Sequence, residues 1–433
     1  MGLDERVCYS NRVGYSKDSL DLLGCSRNEL CYENVNCTDS YRLLYSQNCK
    51  NCTESYFLYN CRGCNNCVGC VNLVSKSYCI FNQPYSKDDY EKKLKEIGIN
   101  SRNGLEVVRQ EFSKILLQSI HKYANIVNSP NSTGDNIYSS KNCKASFEVM
   151  EKGEDCAHLT LSYDLRDSYD GLGLYRCELA YENIDTNLNS RLLSSITTYY
   201  SNNTSYSINC HNSHDLFGCI GLRNKSFCVL NRQYSESEYK ELVEKIIQHM
   251  NNMPYVDKNG REYKYGEFFP TEISPFAYNE TIAQEYFPLT KNEAEKNGYV
   301  WKEDETKIHK VTRKPEGLSD KIEDVQDDIL NEAIGCAHEG NCNEKCTVAF
   351  KIIPQELQFY KKMDLPLPTL CPNCRHHQRL KQKNPMKLWH RQCMCDKNHA
   401  QHSGRCPNEF KTPYSPDRPE IVYCEQCYQQ EVI

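Results

Sequence analysis

Four short cysteine pairs lie close together near the C-terminus: Cys342-Asn-Glu-Lys-Cys346, Cys371-Pro-Asn-Cys374, Cys393-Met-Cys395 and Cys424-Glu-Gln-Cys427. Two thiolates a few positions apart make a knuckle, and two knuckles close a tetrahedron around zinc. The spacing predicts one zinc on Cys342, Cys346, Cys371 and Cys374. It predicts a second on Cys393, Cys424, Cys427 and one of Cys395 or Cys406, giving about two zinc ions in all. Cys336, His338, His399 and His402 are alternative donors. Zinc held by four thiolates has no open position for water or substrate, so the expected chemistry is structural. A small domain of this kind has little core, and the metal supplies its folding energy. The sequence contains no His-Glu-x-x-His pair, serine nucleophile elbow, phosphate loop or dinucleotide fingerprint. No catalytic residue is expected.

Beside the first cysteine set lies the one concentrated basic stretch. Arg375, Arg379, Lys381, Lys383, Lys387 and Arg391 occur without an intervening acid, with Trp389 among them. Arg375, Arg379 and Lys383, at four-residue spacing, would share one helix face starting at the Cys371/Cys374 knuckle, and Asn384-Pro385 should end that helix. Such a face could bind phosphates, with Trp389 stacking a base. A solvated face, or a surface for an acidic protein partner, is the alternative.

The elements that must carry these residues are less obvious. The chain has 433 residues with 27 Cys, 31 Tyr, 39% hydrophobic residues and a formal net charge of -6. Its mean hydropathy is -0.73. That is polar for a compact globule, whereas the aromatic share of 11% is high for a disordered chain. The overall charge does not suit coating nucleic acid or an anionic membrane. No apolar run suggests a signal peptide or a membrane span, so a cytoplasmic location is expected, where cysteines are ligands, nucleophiles or small core residues.

An internal duplication separates these roles. Residues 28–46 align with 177–195, and 61–90 with 210–239, at a constant offset of 149 positions. The paired residues include Tyr32/Tyr181, Arg42/Arg191, Lys76/Lys225 and Asn82/Asn231. Of the cysteines at 8, 25, 31, 37, 49, 52, 61, 64, 67, 70 and 79, only three meet cysteine in the second copy, at Cys210, Cys219 and Cys228. The others meet Ala, Leu, Thr or Ser. A metal ligand cannot be exchanged for Ala or Leu without losing its site, but a core residue can. Most of these cysteines therefore read as core, and an iron-sulfur cluster on Cys61, Cys64, Cys67 and Cys70 is the sharper alternative.

Short apolar pieces alternating with Asn, Gly and Ser give the texture of a β-solenoid. The expected fold is mainly β, with two tandem β-solenoid (β-helix) units, flanking helices and a small α+β zinc module. The boundaries are 1–85 for the first copy, 86–128 for a helical cap and linker, 129–234 for the second copy and 235–252 for a helix. An extended aromatic arm and charged linker follow at 253–328, and the two-zinc module occupies 329–433. Ser86 and Ser235, each followed by an acid three residues on, are expected helix N-caps.

Three segments carry a resemblance: Ser-Pro-Phe-Ala-Tyr-Asn-Glu-Thr (274–281), Gln-Glu-Leu-Gln-Phe-Tyr (355–360) before Cys-Pro-Asn-Cys-Arg (371–375), and Ile-Val-Tyr-Cys-Glu-Gln-Cys-Tyr (421–428). Over nearly its whole length the chain resembles a family of uncharacterised cysteine-rich repeat proteins of candidate-phyla bacteria. Its C-terminal part is similar to zinc-ribbon or treble-clef proteins with a Phe-Tyr and Cys-x-x-Cys-Arg pattern. That resemblance implies zinc at Cys346, Cys371 and Cys374, with Cys342 as the fourth ligand. The chain departs from the pattern in placing three residues between Cys342 and Cys346, which leaves room for Cys336.

The combined expectation is a non-enzymatic zinc scaffold or adaptor whose basic module engages a protein or nucleic acid. Two rivals stand beside it: an enzyme, either a carbohydrate-active solenoid or an iron-sulfur redox protein, and an exported surface protein stapled by disulfides.

Overall fold

The structure, a computed structural model, describes residues 4–5, 13–17, 25–30, 32–150, 153–157, 172–175, 178–181, 184–187, 189–303 and 310–432, with side chains outside 4–29, 150 and 172–187. Cys8, Cys31 and Cys177 lie outside the described residues, as does 304–309 of the expected linker. Six helices of eight or more residues occur among the described residues: α1 (Lys87–Ile97), α2 (Arg102–Gln118), α3 (Glu236–Asn252), α4 (Pro354–Met363), α5 (Pro372–Gln382) and α6 (Glu425–Val432). The chain divides into two compact units: Met1–His121 with Asp304–Lys383 and Pro419–Ile433, and Lys122–Glu303 with Asn384–Arg418.

In the first unit, parallel strands pair at a constant step of twelve residues, with Tyr41 opposite Thr53, Thr53 opposite Asn65, and Asn65 opposite Ser77. Within each step the chain repeats a triplet of one inward residue, one extended residue and one left-handed residue. Backbone φ is +52° at Asn36, +51° at Asp39, +46° at Arg42, +52° at Tyr45 and +55° at Asn48, and left-handed residues recur every third position as far as Phe81. Left-handed backbone costs an ordinary residue about 1–2 kcal/mol, and less for Asn, which bonds locally, or Gly. This is why Asn recurs at 36, 48, 51, 60, 66 and 72, and Gly at 63 and 69.

The inward positions, Cys37, Ser40, Leu43, Ser46, Cys49, Cys52, Ser55, Leu58, Cys61 and Cys64, are buried. Eight of these ten positions are Cys or Ser and two are Leu. Cysteine and serine satisfy the same bond there. Cys49 Sγ donates to the Gln47 carbonyl at 3.3 Å, Cys64 Sγ to Arg62 at 3.6 Å, and Ser55 Oγ to Thr53 at 2.7 Å, always two residues back. In the second unit Ser201 and Ser213, aligned with Cys52 and Cys64, make the same bond to Tyr199 and His211.

The second unit follows the same step, pairing Ser190 with Asn202, Asn202 with His214 and His214 with Ser226. Its strands lie 149 positions after their first-unit counterparts, Tyr41–Leu44 and Ser190–Leu193 among them. Helices cover one side of each ladder. Tyr90 of α1 and Leu105 and Val108 of α2 pack on Phe57, Val68 and Ile80. Tyr239 of α3 packs on Phe217 and Val229. Both Ser-led caps are present: Ser86 accepts from the Asp89 N–H, and Ser235 with Glu238 closes a capping box. Within the expected cap and linker at 86–128, α2 ends at Gln118.

The expectation of a mainly β protein built from two β-solenoid units is corrected. The structure is mixed, 28% helix and 26% strand. Its parallel strands are divided among separate sheets of eight, three, three and six strands. Composition led to this error because polar helices such as α5, whose eleven residues are mostly polar or charged, do not announce themselves in a low hydrophobic fraction. The expected charged linker is also not solvated throughout. Leu318, Ile322, Val325 and Ile329 are buried in one core with Leu357, Tyr360, Met363, Leu30 and Leu44. They recur every three or four residues, so successive short 3-10 turns present them to one side.

Candidate metal centre

Two short antiparallel strands start the centre in the first unit. Ile334–Gly335 pairs antiparallel with Ala349–Phe350, and the Cys336 N–H donates to the Val348 carbonyl at 2.8 Å. Cys336 leaves one strand as Cys346 approaches the other, through a loop with left-handed residues at Glu339, Gly340 and Lys345. The second half comes from α5. Cys371 is its N-cap and Pro372 its first residue, so Cys374 lies one turn in, on the same end. A thiolate at this end gains from the helix dipole and from free N–H groups.

Cys336, Cys346, Cys371 and Cys374 have their sulfur atoms within 4.8 Å of one another. Cys336 and Cys374 are 3.8 Å apart, and Cys346 and Cys371 are 4.0 Å apart. A zinc–thiolate bond of about 2.3 Å in a tetrahedron requires sulfur–sulfur edges of about 3.8 Å, so the set fits the ion. Backbone N–H groups point at two of the sulfurs: Val348 to Cys346 at 3.4 Å and Cys371 to Cys336 at 3.3 Å. The hydrogen bond from Cys336 holds Cys371 down at about 3, while its bond with Cys371 raises Cys336 far above the ordinary thiol range.

Cys342, expected as the fourth ligand, lies beside this set. Its sulfur is 3.7 Å from Cys374, and it groups with His338, Glu344 and Cys374. Cys336 takes the place in the tetrad. Glu344 carried no recognisable signal, since a lone acid between two cysteines is common.

Of the donors expected for the second centre, Cys393, Cys395 and Cys406 belong to the second unit and Cys424 and Cys427 to the first. In the second unit Trp389–Gln392 and Glu409–Thr412 form a hairpin, and the Cys393 N–H donates to Asn408 while the Cys406 N–H donates to Cys395. Cys395, His399 and His402 bring their donors within 4.8 Å, with Cys395 Sγ 3.2 Å from His399 Nε2. In the first unit Cys424 directly precedes α6 and Cys427 lies in its first turn, both buried. Several Cys and His clusters can therefore hold a metal ion such as zinc.

The basic face is corrected. Arg375 and Arg379 are 2% and 0% exposed, so neither is available to phosphate. Arg375 Nη1 donates to the Tyr360 hydroxyl at 3.1 Å, and Nη2 lies 3.7 Å from Glu356 Oε1. The other carboxylate oxygen of Glu356 accepts the Ile353 N–H at the start of α4. Four-residue spacing fixed a shared face, but that face turns into the core. Lys381 pairs with Glu344. In the second unit Lys387 covers the Trp389 ring at 5.2 Å and Arg391 donates to the Ser415 carbonyl at 3.2 Å. Lys383 caps the C-terminal end of α5.

Cys61, Cys64, Cys67 and Cys70, the alternative cluster ligands, occupy four successive inward positions of the ladder. Each donates to the carbonyl two residues before it. Among the described residues no helix is long and apolar enough to cross a membrane. No protein-family model, curated protein or solved structure matches the chain.

Proposed function

We propose that the protein is a non-enzymatic zinc scaffold, in which Cys336, Cys346, Cys371 and Cys374 hold one structural zinc. The observation that supports this most strongly is the tetrad's sulfur spacing, 3.8 and 4.0 Å on two of its edges. Soft thiolates select zinc over calcium or magnesium, and a closed set of four leaves no site for a reacting water. The ion ties the Ile334–Phe350 hairpin to the start of α5. Beside it, the motif pairs Glu356 and Tyr360 with Arg375, so the Phe-Tyr and Cys-x-x-Cys-Arg signature works as one packing unit. The surface held in this way serves a protein partner. Nucleic acid is the weaker reading, because two of the arginines proposed for it lie in the core. Reduced thiols in the ladder suit a cytoplasmic location.

Metal analysis of the full-length protein, purified without oxygen, tests the reading. Zinc should be bound, and Cys371→Ser and Cys336→Ser should each remove it from this centre. Cobalt-substituted protein should show tetrahedral thiolate bands that Cys371→Ser abolishes. Iron in place of zinc, or full metal retention in Cys371→Ser, would reject the proposal.

A further inference from the structure

His338, Cys342 and Glu344 are not needed for the tetrad, yet they converge on one of its members. Their donor atoms and the sulfur of Cys374 all lie within 4.8 Å of one another. Cys342 Sγ stands 3.7 Å from Cys374 Sγ, close to the edge of a zinc–thiolate tetrahedron, about 3.8 Å. His338 Nδ1 and Glu344 Oε2 are buried and 3.2 Å apart, but neither makes a hydrogen bond of acceptable geometry. Two buried polar atoms that face each other without aligning are placed to point at a common third position. Lys381 holds the other oxygen of Glu344 and leaves Oε2 for that position. The loop is fixed from within and from α5. The Asn341 N–H donates to the His338 carbonyl at 2.7 Å, and Asn373 Nδ2 to the Lys345 carbonyl at 2.7 Å.

We propose that His338, Cys342, Glu344 and Cys374 form a second site for a borderline-soft divalent cation such as zinc, joined to the first centre by a bridging Cys374 thiolate. The proposal rests on the zinc reading of the tetrad. The donor set of two sulfurs, one nitrogen and one carboxylate oxygen suits zinc and not calcium or magnesium. Charge also favours the site. Cys342 gives up its proton to solvent as the cation binds, and Glu344 is already ionised in its pair with Lys381, so binding adds one net positive charge. A zinc held by four thiolates carries two negative charges, so the second ion partly neutralises the first centre. His338 and Cys342 are only partly buried, unlike Cys336, Cys371 and Cys374, so this ion should exchange faster than the first.

Cadmium-113 substituted into the full-length protein provides the test, because one sulfur shared by two cadmium ions couples their nuclear resonances. The wild type should show a coupled pair of resonances, both assigned to this region by their loss or shift in Cys371→Ser. His338→Ala with Glu344→Gln should remove one partner, collapse the coupling and leave the tetrathiolate signal. An uncoupled tetrathiolate signal, unchanged in the double variant, would overturn the second site and leave the first centre intact. Absence of any signal sensitive to Cys371→Ser would overturn both. The coupling itself is read in the wild type, and its absence there overturns the second site whether or not the variants fold.

Discussion

Arg375 and Glu356 show what a buried charge requires at the scale of a residue. Both side chains are almost fully enclosed, and each has a second duty: Arg375 donates to Tyr360 and Glu356 accepts the N–H of Ile353, the N-cap of α4. Removing one partner leaves the other charge stranded, which costs about 3–5 kcal/mol. Glu356→Ala should lower the urea midpoint correspondingly with an unchanged slope, whereas truncating the exposed Lys361, paired with Asp327, should leave the midpoint where it is. Equal effects would show that the pair is not the anchor. The chemistry of Arg375 was legible in the sequence but its environment was not. A cation beside a cysteine knuckle suits a phosphate and a buried carboxylate equally well, and the partner, Glu356, is fixed only by the packing of α4 against α5.

At the scale of an element, the ladder's triplet explains why cysteine is both abundant and dispensable there. Most inward side chains are Cys or Ser, and a hydroxyl can replace a thiol because both donate to the carbonyl two residues back. Cys64→Ser should therefore cost about 1 kcal/mol or less, within the range of a net hydrogen bond. Cys64→Phe should cost about 1–3 kcal/mol or prevent folding, as overpacking does. Thermal or urea unfolding of the two variants checks this, and similar losses would show that position 64 tolerates a large side chain. The duplication already pointed to exchangeable core cysteines, since Cys64 aligns with Ser213. The three-residue period was visible as the run Cys61, Cys64, Cys67, Cys70, but its left-handed corners were not. Tyr45, Phe57 and Phe81 occupy such corners although nothing in their side chains favours them. Packing against one another and against α2 outweighs the local cost, with the Tyr45 and Phe57 rings stacked 4.7 Å apart.

For the whole molecule, order in so polar a chain has two sources, the backbone ladders and the apolar core of Leu318, Ile322, Leu357 and Tyr360 beside Cys371 and Cys374. Stripping the metal with a chelator should accelerate amide exchange through 334–382 while 53–80 keeps its protection, because the ladder's bonds involve no ligand residue. Uniform loss across the first unit would mean that the ladder depends on the metal as well. The sequence by itself determined the ligand chemistry, the 149-residue duplication and the serine caps of α1 and α3, since each depends on residue type at short or constant spacing. Tertiary structure alone decided that Cys336 and not Cys342 completes the tetrad, that the arginines of α5 face inward, and that the chain is mixed α and β. Those outcomes depend on which hairpin and which helix meet across more than thirty positions of chain, and local spacing carries no information about that meeting.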